Sequence, residues 1–88
     1  MSDVFDIEQL RAALDSTRRY KEFLRVPAMS AGLYVLQPGA TDQQKPHKED
    51  EIYYVVRGSA KVRIGDNEQV ARQGSVIFVA AEVEHRFF

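Results

Sequence analysis

Apolar positions along the chain follow two different periods. Near the start, Ile7, Leu10 and Leu14 recur at helical spacing, and Asp6 stands before them as an N-cap with Gln9 three residues on. The pattern predicts one short helix over residues 6–14. From Tyr20 the period shortens towards two. Phe23, Leu24, Arg25 and Val26 form an extended stretch closed by Pro27, and residues 32–36 form a clearer strand stopped by Pro38-Gly39. Residues 40–50 are polar and contain the first histidine. Residues 52–56 are aromatic and β-branched and end at Gly58, a strand signature. Ala60, Val62 and Ile64 alternate with Lys61 and Arg63, as in a half-buried strand. Gly65-Asp66-Asn67-Glu68 marks a hairpin, residues 69–71 return, Gly74 turns, and residues 75–79 form an apolar strand.

Many short strands between glycine-containing turns predict an all-β fold, an antiparallel sandwich or barrel. The helix is expected to cover one side or end of it. At 88 residues the chain is one domain, in which residues 1–28 supply the helix and an edge strand and residues 29–88 the barrel. A chain this short buries a limited fraction of its surface and gains from a partner subunit, a ligand or a metal.

Composition removes several function classes. Twelve basic and 13 acidic residues leave a net charge of −1, without the cationic footprint of a nucleic-acid binder. The chain has no cysteine, so disulfides, CxxC redox chemistry and thiolate metal sites are excluded. No apolar run approaches the roughly 20 residues of a membrane span. The first residues, Met-Ser-Asp-Val-Phe-Asp, are acidic and lack the apolar core of a signal peptide, so the expected location is the cytoplasm.

Any metal in this chain must therefore be held by imidazole and carboxylate. There are two histidines, and His47 lies four residues before Glu51 while His85 follows the last predicted strand. A barrel can return His85 to the wall that carries the first pair. Two imidazoles and one carboxylate form a set that suits Fe(II) and also Mn, Ni, Co or Zn, with positions left open for water or substrate. A polar-loop histidine and a surface acid are, on these grounds alone, equally ordinary solvated side chains.

The intervals add specificity. Gly39, five residues, position 45, one residue, His47, three residues, Glu51, six residues and Gly58 match the first motif of the cupin family. Gly74, five residues, Ala80, then Glu82 and His85 are similar to its second motif. The resemblance runs from about Leu33 to Phe88. It implies a double-stranded β-helix, the cupin jelly-roll barrel, with an interior divalent metal held by His47, Glu51 and His85. The chain departs from the pattern at Lys45, which fills the first histidine slot, at Ala80 in place of proline, and at Glu82 in place of glycine; the expected asparagine would fall beyond Phe88. Lys45 has two readings. It swings out, or holds an anionic substrate, beside a three-ligand metal; or it pairs with Glu51 and replaces the metal, leaving a metal-free pocket.

Strand parity places Tyr53 and Val55 on the wall of Glu51, and Ile52, Tyr54 and Val56 on the other face, towards a second layer or a dimer contact. Tyr53, Lys45 and Glu49 are the substrate-binding candidates, and Glu49 is also a candidate fourth ligand. Val76, Phe78 and Val79 are expected in the core, Glu82 and Glu84 at the rim. Residues 20–25 are expected at the barrel edge or a subunit interface. The resemblance further implies a closing strand beyond Phe88, which leaves Phe87 and Phe88 on an open edge and favours a homodimer. The functions implied are a metal-dependent oxygenase or isomerase acting on a small organic substrate, or a metal-free binding or sensor module.

Overall fold

The computed structural model describes residues 4–40, 42 and 46–88. Among these, one helix is followed by seven strands: α1 (Ile7–Ala12), β1 (Tyr20–Val26), β2 (Met29–Tyr34), β3 (Glu51–Tyr54), β4 (Ser59–Ile64), β5 (Asn67–Arg72), β6 (Val76–Val79) and β7 (His85–Phe87). The chain forms two compact units, one ending at Pro38 and the other running from Gly39 to Phe88.

In the first unit, the Asp6 carboxylate accepts from the backbone N–H of Glu8 at 2.9 Å and of Gln9 at 3.4 Å, satisfying donors that the first helical turn leaves open. Ile7, Leu10 and Leu14 are half-buried while Glu8, Gln9 and Arg11 are exposed, as the helical period requires. The helix stops at Ala12, two residues before Leu14. The next turn is organised by Asp15, whose carboxylate accepts from the Thr17 hydroxyl, Thr17 N–H and Arg18 N–H. The hydroxyl bond of Thr17, followed by the two backbone bonds, holds the Asp15 carboxyl below its ordinary value. β1 and β2 pair as an antiparallel hairpin from Tyr20↔Tyr34 to Val26↔Met29, with a bulge between Glu22 and Leu24. Because β2 is the partner of β1, Met29–Tyr34 belongs with the N-terminal residues in this unit.

The second unit consists of two antiparallel sheets, β3-β6 and β5-β4-β7. Ile64 and Asn67 close the β4–β5 hairpin around Gly65 and Asp66. Gly65 has φ +57°, a conformation that a two-residue hairpin turn demands and that a side chain disfavours. Val62 and Ala71 from one sheet and Ile77 and Val79 from the other form the buried cluster, with Tyr53, Val55, Ile64, Val83 and Phe87 packed against it.

Val76 and Phe78 are a correction to the expected core. Both are more than half exposed, whereas Ile77 and Val79 are buried. In β6 only alternate residues can face inward, so an all-apolar strand leaves its other face outside. The register pairs Ile52 with Phe78 and Tyr54 with Val76, so the outward apolar side chains of both strands share one face.

The last residues form a paired strand. Arg86 lies opposite Arg63 and Phe87 opposite Val62, and Phe88 exchanges two backbone hydrogen bonds with Lys61 at 2.7 and 2.8 Å. Phe87 is half-buried and its ring meets that of Tyr53 edge-on at 5.1 Å, while Phe88 remains about half exposed. Asp42 was not singled out in the sequence. It is a buried carboxylate that accepts from Phe87 N–H at 2.7 Å, tying the loop before β3 to β7.

Candidate metal centre

The site is built where β3 begins, β6 ends and β7 begins. Glu51 opens β3 and pairs with Val79, the last residue of β6. The five residues 80–84 then connect β6 to His85, the first residue of β7, which lies opposite Ile64 of β4. One short connection thus brings His85 back beside Glu51. His47 is supplied by the loop that enters β3.

Two hydrogen bonds clamp that loop to the 80–84 connection. The His47 carbonyl accepts from Glu82 N–H at 2.7 Å, and the Asp50 carboxylate accepts from Ala81 N–H at 2.8 Å. In the sequence Asp50 has the look of an ordinary solvent-facing acid. It is exposed, yet it bonds a backbone 31 positions away, which no local pattern reveals. Glu82 has φ +67°, and among the described residues it is the one non-glycine in the left-handed region.

His47, Glu51 and His85 each direct a ligand atom to a common place, and these atoms all lie within 4.8 Å of one another. His47 Nε2 is 3.4 Å from Glu51 Oε1. The two imidazole rings are 5.9 Å apart. His47 is exposed, Glu51 half-buried and His85 buried. Tyr53, two residues along β3 from Glu51, places its hydroxyl 3.0 Å from His85 Nε2. The other ring nitrogen of His85 is 3.1 Å from the Val83 carbonyl oxygen. A set of two imidazoles and a carboxylate, already converged, fits a divalent transition ion.

A family model described as "Cupin domain" matches residues 32–88. The chain belongs to the cupin family. It is also 51% identical over 83 residues to an uncharacterized protein, SCO3923, of Streptomyces coelicolor (strain ATCC BAA-471 / A3(2) / M145), a match covering 93% of this chain and 76% of that protein. No solved structure matches the chain.

This cupin is all-β with a short N-terminal helix, its strands arranged in antiparallel sheets as in the family's jelly roll. The positions matched to the motifs, His47, Glu51 and His85, are the residues that converge. Glu49 is exposed and lies outside the converging group. Tyr53 is beside that group, on the inward face that parity predicts, with Ile52 and Tyr54 outward. Lys45 lies outside the described residues. At the expected proline, Ala80 accepts through its carbonyl from Val83 N–H at 3.2 Å and turns the chain towards His85. At the expected glycine, Glu82 takes the left-handed conformation a glycine would adopt freely.

Proposed function

We propose that this cupin holds one divalent transition ion through His47, Glu51 and His85, and that in the cytoplasm it binds or transforms a small organic molecule there, as an oxygenase or an isomerase. The observation that carries the proposal is the convergence of the three ligand atoms within 4.8 Å. Three protein ligands leave coordination positions free, and the imidazole–carboxylate set suits Fe, Mn, Ni, Co or Zn. Bound here, such an ion supplies Lewis-acid polarisation of a substrate oxygen or, if it is iron, redox chemistry.

The chain's own residues set what surrounds the ion. Val83 orients His85 through its carbonyl, and Phe87 supports the ring of Tyr53 beside it. Tyr53 is the proposed substrate-facing hydroxyl. Lys45 and Glu49, two positions before and two after His47 in the sequence, are proposed to meet polar groups of the substrate; a lysine there favours an anionic one. The near-balanced charge of the chain supports a small molecule over nucleic acid as partner.

A second reading, a metal-free binding or sensor module, is favoured by one observation. Glu51 already contacts His47, and Tyr53 already hydrogen-bonds His85, so the ligand groups have partners without an ion. Elemental analysis of protein purified from metal-replete medium divides the two readings. The metal reading expects close to one equivalent of a transition ion, lost in His47→Ala. If wild-type protein carries none and added Fe2+, Mn2+, Co2+, Ni2+ or Zn2+ leaves its melting temperature unchanged, the metal-free module stands instead. Oxygen uptake with Fe2+ and candidate substrates then tests the oxygenase branch against the isomerase branch.

The proposed partner subunit is a second copy of the chain, docked on the outward face of β3-β6. Ile52, Tyr54, Val76 and Phe78 are each more than half exposed there. With aromatic side chains offering about 150–250 Å² each, the four present roughly 400 Å² of apolar surface per protomer. A two-fold pairing then buries roughly 800 Å² from these side chains alone, approaching the total of about 1,000 Å² that a specific interface needs once flanking residues are added.

A further inference from the structure

We propose that the Tyr53 hydroxyl is a latch on the ligating nitrogen of His85: it occupies the lone pair that the metal requires, and metal entry releases it. This inference rests on the metal reading of the site and specifies how that site is kept when empty and opened when filled.

The backbone fixes the tautomer of His85. Its Nδ1 is 3.1 Å from the Val83 carbonyl oxygen, which can only accept, so Nδ1 carries the hydrogen. In the neutral ring Nε2 then bears the in-plane lone pair, and the Tyr53 O–H, 3.0 Å away, donates to it. With Nδ1 engaged by the backbone, Nε2 is the nitrogen left for a metal. A ring nitrogen has a single in-plane lone pair. It cannot accept the tyrosine proton and bind an ion together.

The surroundings favour an exchange of partners over a rearrangement of the chain. The residue carrying Nε2 is 3% exposed, so in the metal-free protein the nitrogen needs a hydrogen-bond donor. Tyr53 provides it, from a ring held edge-on against Phe87 at 5.1 Å. Tyr53 is also two residues from Glu51 on the same strand, so latch and carboxylate ligand share one rigid element. When the ion takes Nε2, the hydroxyl is released beside the site as a donor for an oxygen of the bound molecule. Metal binding thereby switches Tyr53 from ligand protection to substrate contact.

The consequence is that removing the hydroxyl makes metal binding tighter, although Tyr53 stands in the first ring of residues around the site. A hydrogen bond of this kind contributes about 0.5–1.5 kcal/mol net, so Tyr53→Phe should tighten Zn2+ binding roughly two- to tenfold. The test is calorimetric titration of metal-free wild type, Tyr53→Phe, and the double variant Tyr53→Phe/His47→Ala with Zn2+. Tighter binding in Tyr53→Phe, abolished in the double variant, supports the latch. Equal or weaker binding in Tyr53→Phe while wild type binds overturns the latch and leaves the metal reading standing. If neither protein binds Zn2+, both fall; binding that survives in the double variant lies elsewhere and overturns the latch. A measurement on wild type covers poor folding of the variant. In 15N spectra of the imidazoles, Zn2+ should move the His85 Nε2 signal from a hydrogen-bonded to a metal-bound position while Nδ1 keeps its proton. A shift at Nδ1 instead would overturn the latch.

Discussion

Ile52 stands directly opposite Phe78 across β3 and β6, and the two side chains are 71% and 58% exposed. Tyr54 and Val76 form the next outward pair on the same face. The buried residues of the same two strands, Ile77 and Val79, are equally apolar, so the composition of β6 reflects a demand from both of its sides. If the outward side is the subunit contact, light scattering coupled to size exclusion should show a dimer. Phe78→Ser should weaken it by about 2 kcal/mol, roughly thirtyfold in dissociation constant, as expected of an interface aromatic. A wild-type protein that is monomeric at high concentration would sink the idea.

His47→Ala removes one of the three proposed ligands without touching the buried core, since His47 is exposed. Wild-type protein in metal at a hundred times its dissociation constant should gain about 2.7 kcal/mol. For a domain of this size that is a rise of roughly 10–20 °C in melting temperature. The variant should melt at the same temperature with and without metal. A metal-dependent rise retained in His47→Ala would place the ion at another site.

Asp50→Ala should act on the site without being part of it. Its carboxylate bonds Ala81 N–H and holds the His47 loop to the connection that leads into His85. Loss of that bond should cost about 1 kcal/mol, or roughly 4–8 °C, and weaken metal binding in the same direction. Asp50→Asn keeps an acceptor and should recover most of both. Calorimetry and thermal melts of the two variants check this together, and identical behaviour of alanine and asparagine would refute it.

Glu82→Gly should stabilise the protein. A side chain in the left-handed region costs about 1–2 kcal/mol, and glycine returns about 0.5–1 kcal/mol of that through greater freedom of the unfolded chain. The net expectation is roughly 0.5–1 kcal/mol of added stability, a few degrees in a thermal melt. The Glu82 N–H to His47 carbonyl bond is a backbone contact and survives the change. A lower melting temperature would mean that the glutamate side chain contributes more than its backbone conformation costs.

The sequence by itself determined the features that depend on neighbours a few positions away. The helix cap at Asp6, the Gly65 turn, the inward parity of Glu51 and Tyr53, and the intervals that single out His47, Glu51 and His85 all follow from local geometry. The family followed from those intervals, together with the departures at Ala80 and Glu82. What it could not determine were choices made by pairing between distant segments. Val76 and Phe78 are as apolar as Ile77 and Val79, and only the register with β3 and the position of the core decide which pair is buried. The pairing of β2 with β1 and of β7 with β4 is likewise a decision between strand edges of similar composition. Asp42 and Asp50 look like surface acids until folding brings Phe87 and Ala81 to them. The bond from Tyr53 to His85 joins residues 32 positions apart. Periodicity put each on a strand or at its end, and the tertiary fold alone set hydroxyl against nitrogen, because that distance depends on how β3 and β7 meet across the core.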